Sequence, residues 1–257
     1  MKKIWDKVLK GYSFAIYLFL YAPILIMVMF SFNDSKILAV WRGFSLRWYE
    51  ALISDPTVWK AFYNSIWIAS LTTVVSMVLG TMTAFVMIRY SFRGKPILDS
   101  ALYFPVVIPE ITEALSLLLF YVFTGIPLGA LTVAIGHIAF AISYATIVIR
   151  ARLVGFDRSV EEAAKSLGAN ELRTFFHVTL PLILPGVIAG GLLAFTVSYD
   201  DFVKTAFTAG PGFQTLPLKI YAMASRGGVS PQLKALATVT LVVSLCLAMV
   251  RLRLSKS

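Results

Sequence analysis

"SVEEAAKSLGAN", Ser159 to Asn170, is a short charged stretch set between two long apolar runs. Ser159 with Glu162 three residues on has the form of a capping box, so the spacing predicts a helix that starts at Val160. Val160, Ala163, Ala164 and Leu167 fall at i, i+3, i+4 and i+7 and share one apolar face, while Glu161, Glu162, Lys165 and Ser166 turn away from it. Gly168 stands where a helix end favours a left-handed residue, giving a segment of about Ser159–Gly168. Asn170 is placed to cap a second helix, and Pro181 and Pro185 mark the turn back into the next apolar run. A two-turn helix is unstable alone in water, so its apolar face needs a cover. That cover is either the chain's own surface or a groove on a separate protein, and physics alone leaves the two open.

The surroundings of this stretch set the fold class. Of 257 residues, 58% are hydrophobic and only 14% charged, where soluble domains run nearer about a quarter charged. The apolar residues lie in blocks of a length that spans the ~30 Å hydrocarbon core as a helix. Six spans are predicted: Tyr12 to Phe32, Asn64 to Ile88, Leu98 to Phe123, Leu128 to Ile149, Leu182 to Tyr199 and Leu233 to Val250. The fold class is therefore all-α: a polytopic membrane protein with one transmembrane domain over 1–257. The basic start "MKKIWDKVLK" resembles a signal peptide, but the apolar run after it is too long for one and no small-x-small site follows, so it reads as an uncleaved anchor.

Charge placement gives an orientation. Fifteen of the 23 Lys and Arg residues fall on the segments that share a side with the N-terminus, from Lys2 to Lys256, and eight on the other, including Lys36, Lys204 and Lys219. That excess predicts both termini in the cytoplasm, together with the Ser159–Gly168 helix. The net charge of +10 flanks apolar runs, which is how topology is encoded and not how nucleic acid is bound. Cys246 is the single cysteine, and His137 and His177 lie far apart, so neither a disulfide nor a metal site is expected. On the outer side, the aromatic-rich stretch Asn33 to Lys60 suits an interfacial segment lying on the membrane or on a neighbour. "AGPGF" followed by "LPLKIYAM" reads there as a turn and a short amphipathic helix. Gly186, Gly190 and Ala194, and likewise Ser76, Gly80 and Ala84, are small residues spaced by four, which lets helices approach closely in lipid.

Acids inside spans are expensive and point to a function. Glu110 and Glu113 in "PVVIPEITEALS" share a face; at ~1.5 Å per residue they lie about 18 to 22 Å along the third span, near the bilayer middle. Pro105 and Pro109 loosen the helix before them. Asp200 and Asp201 follow the fifth span on the outer side, and with Tyr199 they can hold a cation by charge and ring face. Nearby Lys204 can instead neutralise one of them. These five residues are the candidate substrate pathway. A membrane enzyme built on the same acids is disfavoured, because in this topology they lie on different sides and no histidine accompanies them. A scaffold without transport is a further remote alternative.

"EAAKSLGANELRTFFHVTLP", Glu162 to Pro181, resembles the coupling loop of ABC importer permeases: EAA, three residues, G, nine residues, I, one residue, LP. Glu162, Ala163, Ala164, Gly168, Leu180 and Pro181 match, and Val178 stands at the isoleucine position. In that family the loop enters a cleft of the ATPase subunit and passes its motion to the membrane helices. The resemblance implies that Ala163 and Ala164 insert, that Glu162 is a polar contact or cap, that Gly168 makes the turn and that Leu167 belongs to the same coupling face. The chain has no G-x-x-x-x-G-K-[ST] loop; "FRGKP" lacks its spacing and hydroxyl. ATP and magnesium are thus expected on a separate ATPase, with no cofactor and no catalytic residue in this chain.

The wider sequence, above all "SYDDFVKTAFTAGPGFQTLPLKIYAM" and "GVSPQLKALATVTLVVSL", is similar to the spermidine/putrescine permeases of this importer class, most of all the second permease subunit. "ARL" at Ala151 to Leu153 departs from the "SRL" of many relatives. The resemblance implies the type I ABC importer permease fold, multi-pass in a bacterial inner membrane. It also implies a second permease subunit, two ATPase copies, an extracytoplasmic polyamine-binding protein, and import by alternating access. Iron, thiamine and phosphonate importers share the loop and remain alternative cargoes.

Overall fold

A computed structural model describes residues 2–35, 40–227 and 230–254; Lys36 and Lys256, counted above for orientation, lie outside them. The regular elements among the described residues are helices: α1 (Lys2–Ser31), α2 (Arg47–Ile53), α3 (Pro56–Arg89), α4 (Lys95–Val107), α5 (Glu110–Thr124), α6 (Ala130–Val154), α7 (Ser159–Ser166), α8 (Glu171–Thr174), a π-helical turn (Phe175–Thr179), α9 (Leu180–Tyr199), α10 (Val203–Thr208), α11 (Leu216–Gly227) and α12 (Pro231–Leu254).

Among the described residues four helical stretches are long and apolar enough to cross a membrane: Trp5–Ser31, Pro56–Arg89, Ala130–Val154 and Glu171–Tyr199. The third expected span is not one helix. α4 and α5 meet at 110° across Ile108 and Pro109. Pro109 disfavours helical geometry in the residue before it, and Ile108 is extended, with φ −73° and ψ 140°. Counted as one broken crossing, the pair makes a fifth span, and the sixth expected span falls in α12, apolar over Pro231–Cys246. The fifth span also differs from expectation. Pro181 and Pro185 do not turn the chain; both lie in α9, which continues α8 through the π-helical turn. A widened turn just before Pro181 accommodates a residue that has no N–H and needs room for its ring.

The chain divides into two compact units, one of Met1–Trp59 with Lys219–Val243 and one of Lys60–Leu218 with Ser244–Ser257. In the larger unit α6 is the most enclosed span, between α3 and α9. The small-residue stripes explain why. A Cβ on Gly80 would stand 3.0 Å from the Ala145 Cβ, and one on Gly190 would stand 3.2 Å from the Ala145 carbonyl oxygen. Both neighbours therefore close onto the same residue of α6, with Ala84, Ile149, Leu153, Ile183 and Val187 filling the contact. Asn64 and Ser65 tie α3 to the loop before α11: the Asn64 amide donates to the Gln214 carbonyl at 2.8 Å, and the Leu216 N–H donates to the Ser65 hydroxyl at 2.7 Å.

In the smaller unit the aromatic segment after the first span is anchored by its own polar atoms. The Trp48 indole N–H donates to the Asn33 carbonyl at 2.8 Å, and that of Trp59 to the Ile53 carbonyl at 2.7 Å. The Phe32 ring stacks on Phe44 and Tyr49. The Trp48 and Trp59 N–H groups, and the Tyr49 hydroxyl at 2.6 Å from that of Ser31, are thus satisfied while the ring bodies stay apolar, the arrangement an interfacial segment needs. The predicted turn and amphipathic helix after the fifth span are present as the glycine turn at Gly210 and Gly212 followed by α11, but α10 before them was not foreseen.

Candidate functional site

The loop between α6 and α9 holds the candidate coupling helix, α7. It starts one residue earlier than predicted. Ser159 is its first helical residue, and Asp157 does the capping, its carboxylate accepting the Ser159 N–H at 2.9 Å. The Ser159–Glu162 capping box is therefore not formed. That N–H bond holds the Asp157 carboxyl below the usual carboxylate range. At the other end Gly168 takes φ +89°, and the Ala169 N–H reaches back to the Ala164 carbonyl at 3.1 Å, as a left-handed helix stop requires. Asn170 caps α8, accepting the Arg173 N–H at 2.8 Å. Lys165 donates to Glu171 at 2.6 Å, and this bond raises the lysine's pKa.

The apolar face of α7 is left largely uncovered, unlike that of an ordinary surface helix. Val160, Ala163 and Leu167 are exposed, Leu167 at 90%, and only Ala164 of that face is half-buried. The buried residue is Glu161, which the apolar periodicity had turned to solvent. Its Oε1 accepts from Arg89 Nη2 at 2.7 Å and from the Thr179 hydroxyl at 2.6 Å. Arg89 ends α3 and Thr179 ends the π-helical turn, so one carboxylate joins α7 to two membrane-spanning stretches. The Arg89 guanidinium lies over the Phe85 and Phe156 rings at 5.9 and 5.6 Å. Sequence spacing could not pair residues 72 and 18 positions apart, and Glu161 carries no local signal beyond its charge.

The acids of the candidate pathway come together differently from the expectation. Because the chain bends at Ile108 and Pro109, Glu110 and Glu113 stand in the first turn of α5, not halfway along a straight span, and the helix N-terminus favours their charge. α10 packs on α5 and α6 and carries Lys204 to them. Its Nζ lies 3.0 Å from Glu110 Oε1, 3.3 Å from Glu113 Oε2 and 3.8 Å from Asp201 Oδ2. The same ammonium sits 4.1 Å above the centre of the Phe140 ring. Glu110, Glu113 and Asp201 are therefore one cluster, which corrects the placing of these acids on different sides. Asp200 points elsewhere and accepts the Ser244 hydroxyl at 2.9 Å; Tyr199 is buried and stacks on Phe195.

A histidine does accompany the acids, again against expectation. His137 of α6 is fully buried, with Nδ1 2.7 Å from the Ser198 hydroxyl and Nε2 3.0 Å from the Thr205 hydroxyl. Nε2 is also 3.3 Å from Asp201 Oδ1, which accepts the Thr205 N–H at 2.9 Å. Ser198, His137 and Asp201 form a hydroxyl–imidazole–carboxylate chain, but Ser198 and His137 are 4% and 0% exposed, so no ester or amide reaches the hydroxyl. The chain fixes Asp201 and α10 in place. Among the described residues no group of three or more His, Cys, Asp or Glu could hold a metal ion. Beside the cluster a cavity of about 280 Å³ is walled by Glu113, Lys204, Phe140, Thr112 and Ser116, with Phe104 and Pro105 of α4 across it.

Residues 76–255 match the family described as "Binding-protein-dependent transport system inner membrane component", which is 180 of 257 positions. The chain belongs to this family. It is an inner-membrane transport subunit, and the curated relatives it resembles are permeases. It is 40% identical over 235 residues to the spermidine/putrescine transport system permease protein PotC of Escherichia coli (strain K12), covering 91% of this chain and 89% of that one. It is 43% identical over 230 residues to the putrescine transport system permease protein PotI of the same organism, covering 87% and 82%. Among solved structures, a bacterial ABC transporter involved in the import of the acidic polysaccharide alginate has a chain that superposes with a TM-score of 0.75 at 17% identity, covering 98% of this chain and 96% of that one. A chain of the same transporter type in complex with an alginate pentasaccharide-bound periplasmic protein gives 0.77 at 16% identity, with 100% and 97% covered. At such identity the likeness is one of fold, and the fold is that of ABC importer permeases.

Proposed function

We propose that this chain is one of two permease subunits of an ATP-driven importer of polyamines such as spermidine and putrescine. Both termini and α7 face the cytoplasm. A periplasmic binding protein delivers the substrate, and two copies of a separate ATPase bind ATP and magnesium. Ala163, Ala164 and Leu167 enter the ATPase, Glu162 is their polar neighbour, and Gly168 ends the helix. The observation that carries the reading is 40% identity over 91% of the chain to a spermidine/putrescine permease. Geometry agrees with it in kind. The exposed Val160–Ala163–Leu167 face sits on a helix bolted to the spans by Glu161, as an input lever needs. A cavity lined by the Glu113 carboxylate and the Phe140 ring suits an alkylammonium cargo.

Uptake of labelled putrescine and spermidine by cells lacking the gene tests this. Loss of polyamine uptake, restored by the gene, is the expected result. Unchanged polyamine uptake with loss of iron, thiamine or phosphonate uptake would keep the machine and replace the cargo.

A further inference from the structure

The cluster around Lys204 is unbalanced. Three carboxylates, Glu110, Glu113 and Asp201, face one ammonium. Lys204 itself is buried, its side chain 6% exposed, and Asp201 is 1% exposed. Asp201 Oδ1 is occupied by His137 and Thr205, but Oδ2 is buried, accepts no hydrogen bond and waits 3.8 Å from the lysine nitrogen. Glu110 is half exposed, and Glu113 and Lys204 form part of the wall of the 280 Å³ cavity. Acceptor capacity therefore remains after Lys204 has been served, in a cluster that reaches open space through Glu113 and Lys204.

What Lys204 presents to this cage is chemically an n-butylammonium group: four methylenes and a primary ammonium with three donors. It is held by charge-assisted hydrogen bonds and by a ring face. Those are the contacts that recognise the end of a linear polyamine. Resting on the polyamine reading above, we infer that Lys204 is a tethered stand-in for the substrate. It fills the ammonium subsite formed by Glu110, Glu113, Asp201 and Phe140, and an incoming amine must displace it. A tethered competitor acts at an effective concentration that a free one would need millimolar levels to match. It therefore keeps the subsite weak enough for release while preserving its charge for recognition. When substrate leaves, the lysine returns and the carboxylates are never left facing one another alone. Lys204 is thus a residue that sets affinity, and not only a counter-ion.

The assembled transporter, purified without its binding protein, is titrated with labelled putrescine and with spermidine, alongside K204M and K204R. Methionine, one atom shorter, keeps most of the side-chain volume and removes the competitor, so amine affinity should rise about tenfold or more, the scale of one charge-assisted contact. Arginine, permanently charged and able to grip two carboxylate oxygens at once, should lower it several-fold. A plain counter-ion predicts the opposite for methionine, weaker or unchanged binding, and no change for arginine. If K204M does not assemble, the K204R affinity decides, since unaltered binding overturns the inference by itself. Wild-type protein that binds neither amine would sink the polyamine reading along with this one. Wild-type binding that both variants leave untouched would sink this one alone.

Discussion

Glu161 and Asp201 are both carboxylates sunk among the helices, and they are served in opposite ways. Glu161 meets one guanidinium and one hydroxyl, at 2.7 and 2.6 Å, and the charges balance one to one. Asp201 shares one ammonium with two further carboxylates, at distances that lengthen from 3.0 to 3.8 Å. A charge-balanced pair between elements is a fastener, because removing either half leaves the other stranded. An oversupplied cluster next to a cavity can take another cation. The two ends of the proposed machine, the lever and the cargo path, are told apart by this difference in charge balance.

The comparison breaks most visibly at Glu161. Replacing it with alanine leaves Arg89 buried without its partner, so a loss of about 3–5 kcal/mol is expected, read as reduced thermal stability of the purified transporter. The double substitution R89M with E161L should recover most of that loss, since a buried pair exchanged for apolar side chains is often neutral. A single-variant loss below about 1 kcal/mol would mean that α7 is held by something other than this pair.

On the outer face of the same helix, Ala163→Glu should leave stability within about 0.5 kcal/mol, because the side chain is exposed. Its effect is on coupling. Uptake should fall to background while ATP hydrolysis by the assembled complex continues, measured as the ratio of the two in proteoliposomes. Retained uptake would remove α7 from the coupling path.

What the sequence made legible follows local chemistry. The helix at Ser159–Ser166, the left-handed Gly168 and the cap at Asn170 each depend on residues within four positions, and each forms. The small-residue stripes also worked, because a four-residue period is a property of one helix face. What was missed depends on distance along the chain. His137 finds its partners 61 and 68 residues away, Lys204 meets Glu110 from 94 away, and Glu161 meets Arg89 from 72. The break at Ile108 had its signal in Pro109, but proline also occurs within continuous helix, as Pro23 does in α1 and Pro185 in α9. The broken pair packs on residues far along the chain, α4 on α6 and α5 on α10, which local sequence does not encode.

In the oversupplied cluster a single removal should cost far less than at Glu161. Glu110→Gln leaves Lys204 with Glu113 and Asp201, and Glu110 is half exposed, so a stability change under about 1 kcal/mol is expected. Polyamine uptake should nonetheless drop several-fold at normal membrane levels. Glu113→Gln, at 14% exposure, should drop it further, toward about tenfold. Equal thermal losses at Glu110 and Glu161 would erase the distinction between fastener and subsite, and unchanged uptake kinetics would leave Glu110 structural.

The smallest effect lies at the exposed start of the coupling helix, and it separates local capping from the Glu161 anchor. The Ser159 N–H lowers the Asp157 pKa when the loop is folded. A depressed carboxylate adds stability above its unfolded value, about 3.9, and loses that contribution as pH falls through the lower folded value. Amide exchange at Ser159 and Val160 should therefore be steady from neutral pH down to about pH 4 and quicken only below it. Asp157→Asn keeps the acceptor oxygen without the charge, so its exchange should not change with pH in that window, once intrinsic rates are subtracted. The exchange of Glu161, held by Arg89 and Thr179, should not follow either curve. If all three amides loosen together as the acid is protonated, α7 opens as one piece from its cap, and the Glu161 pair is not what holds it to the spans.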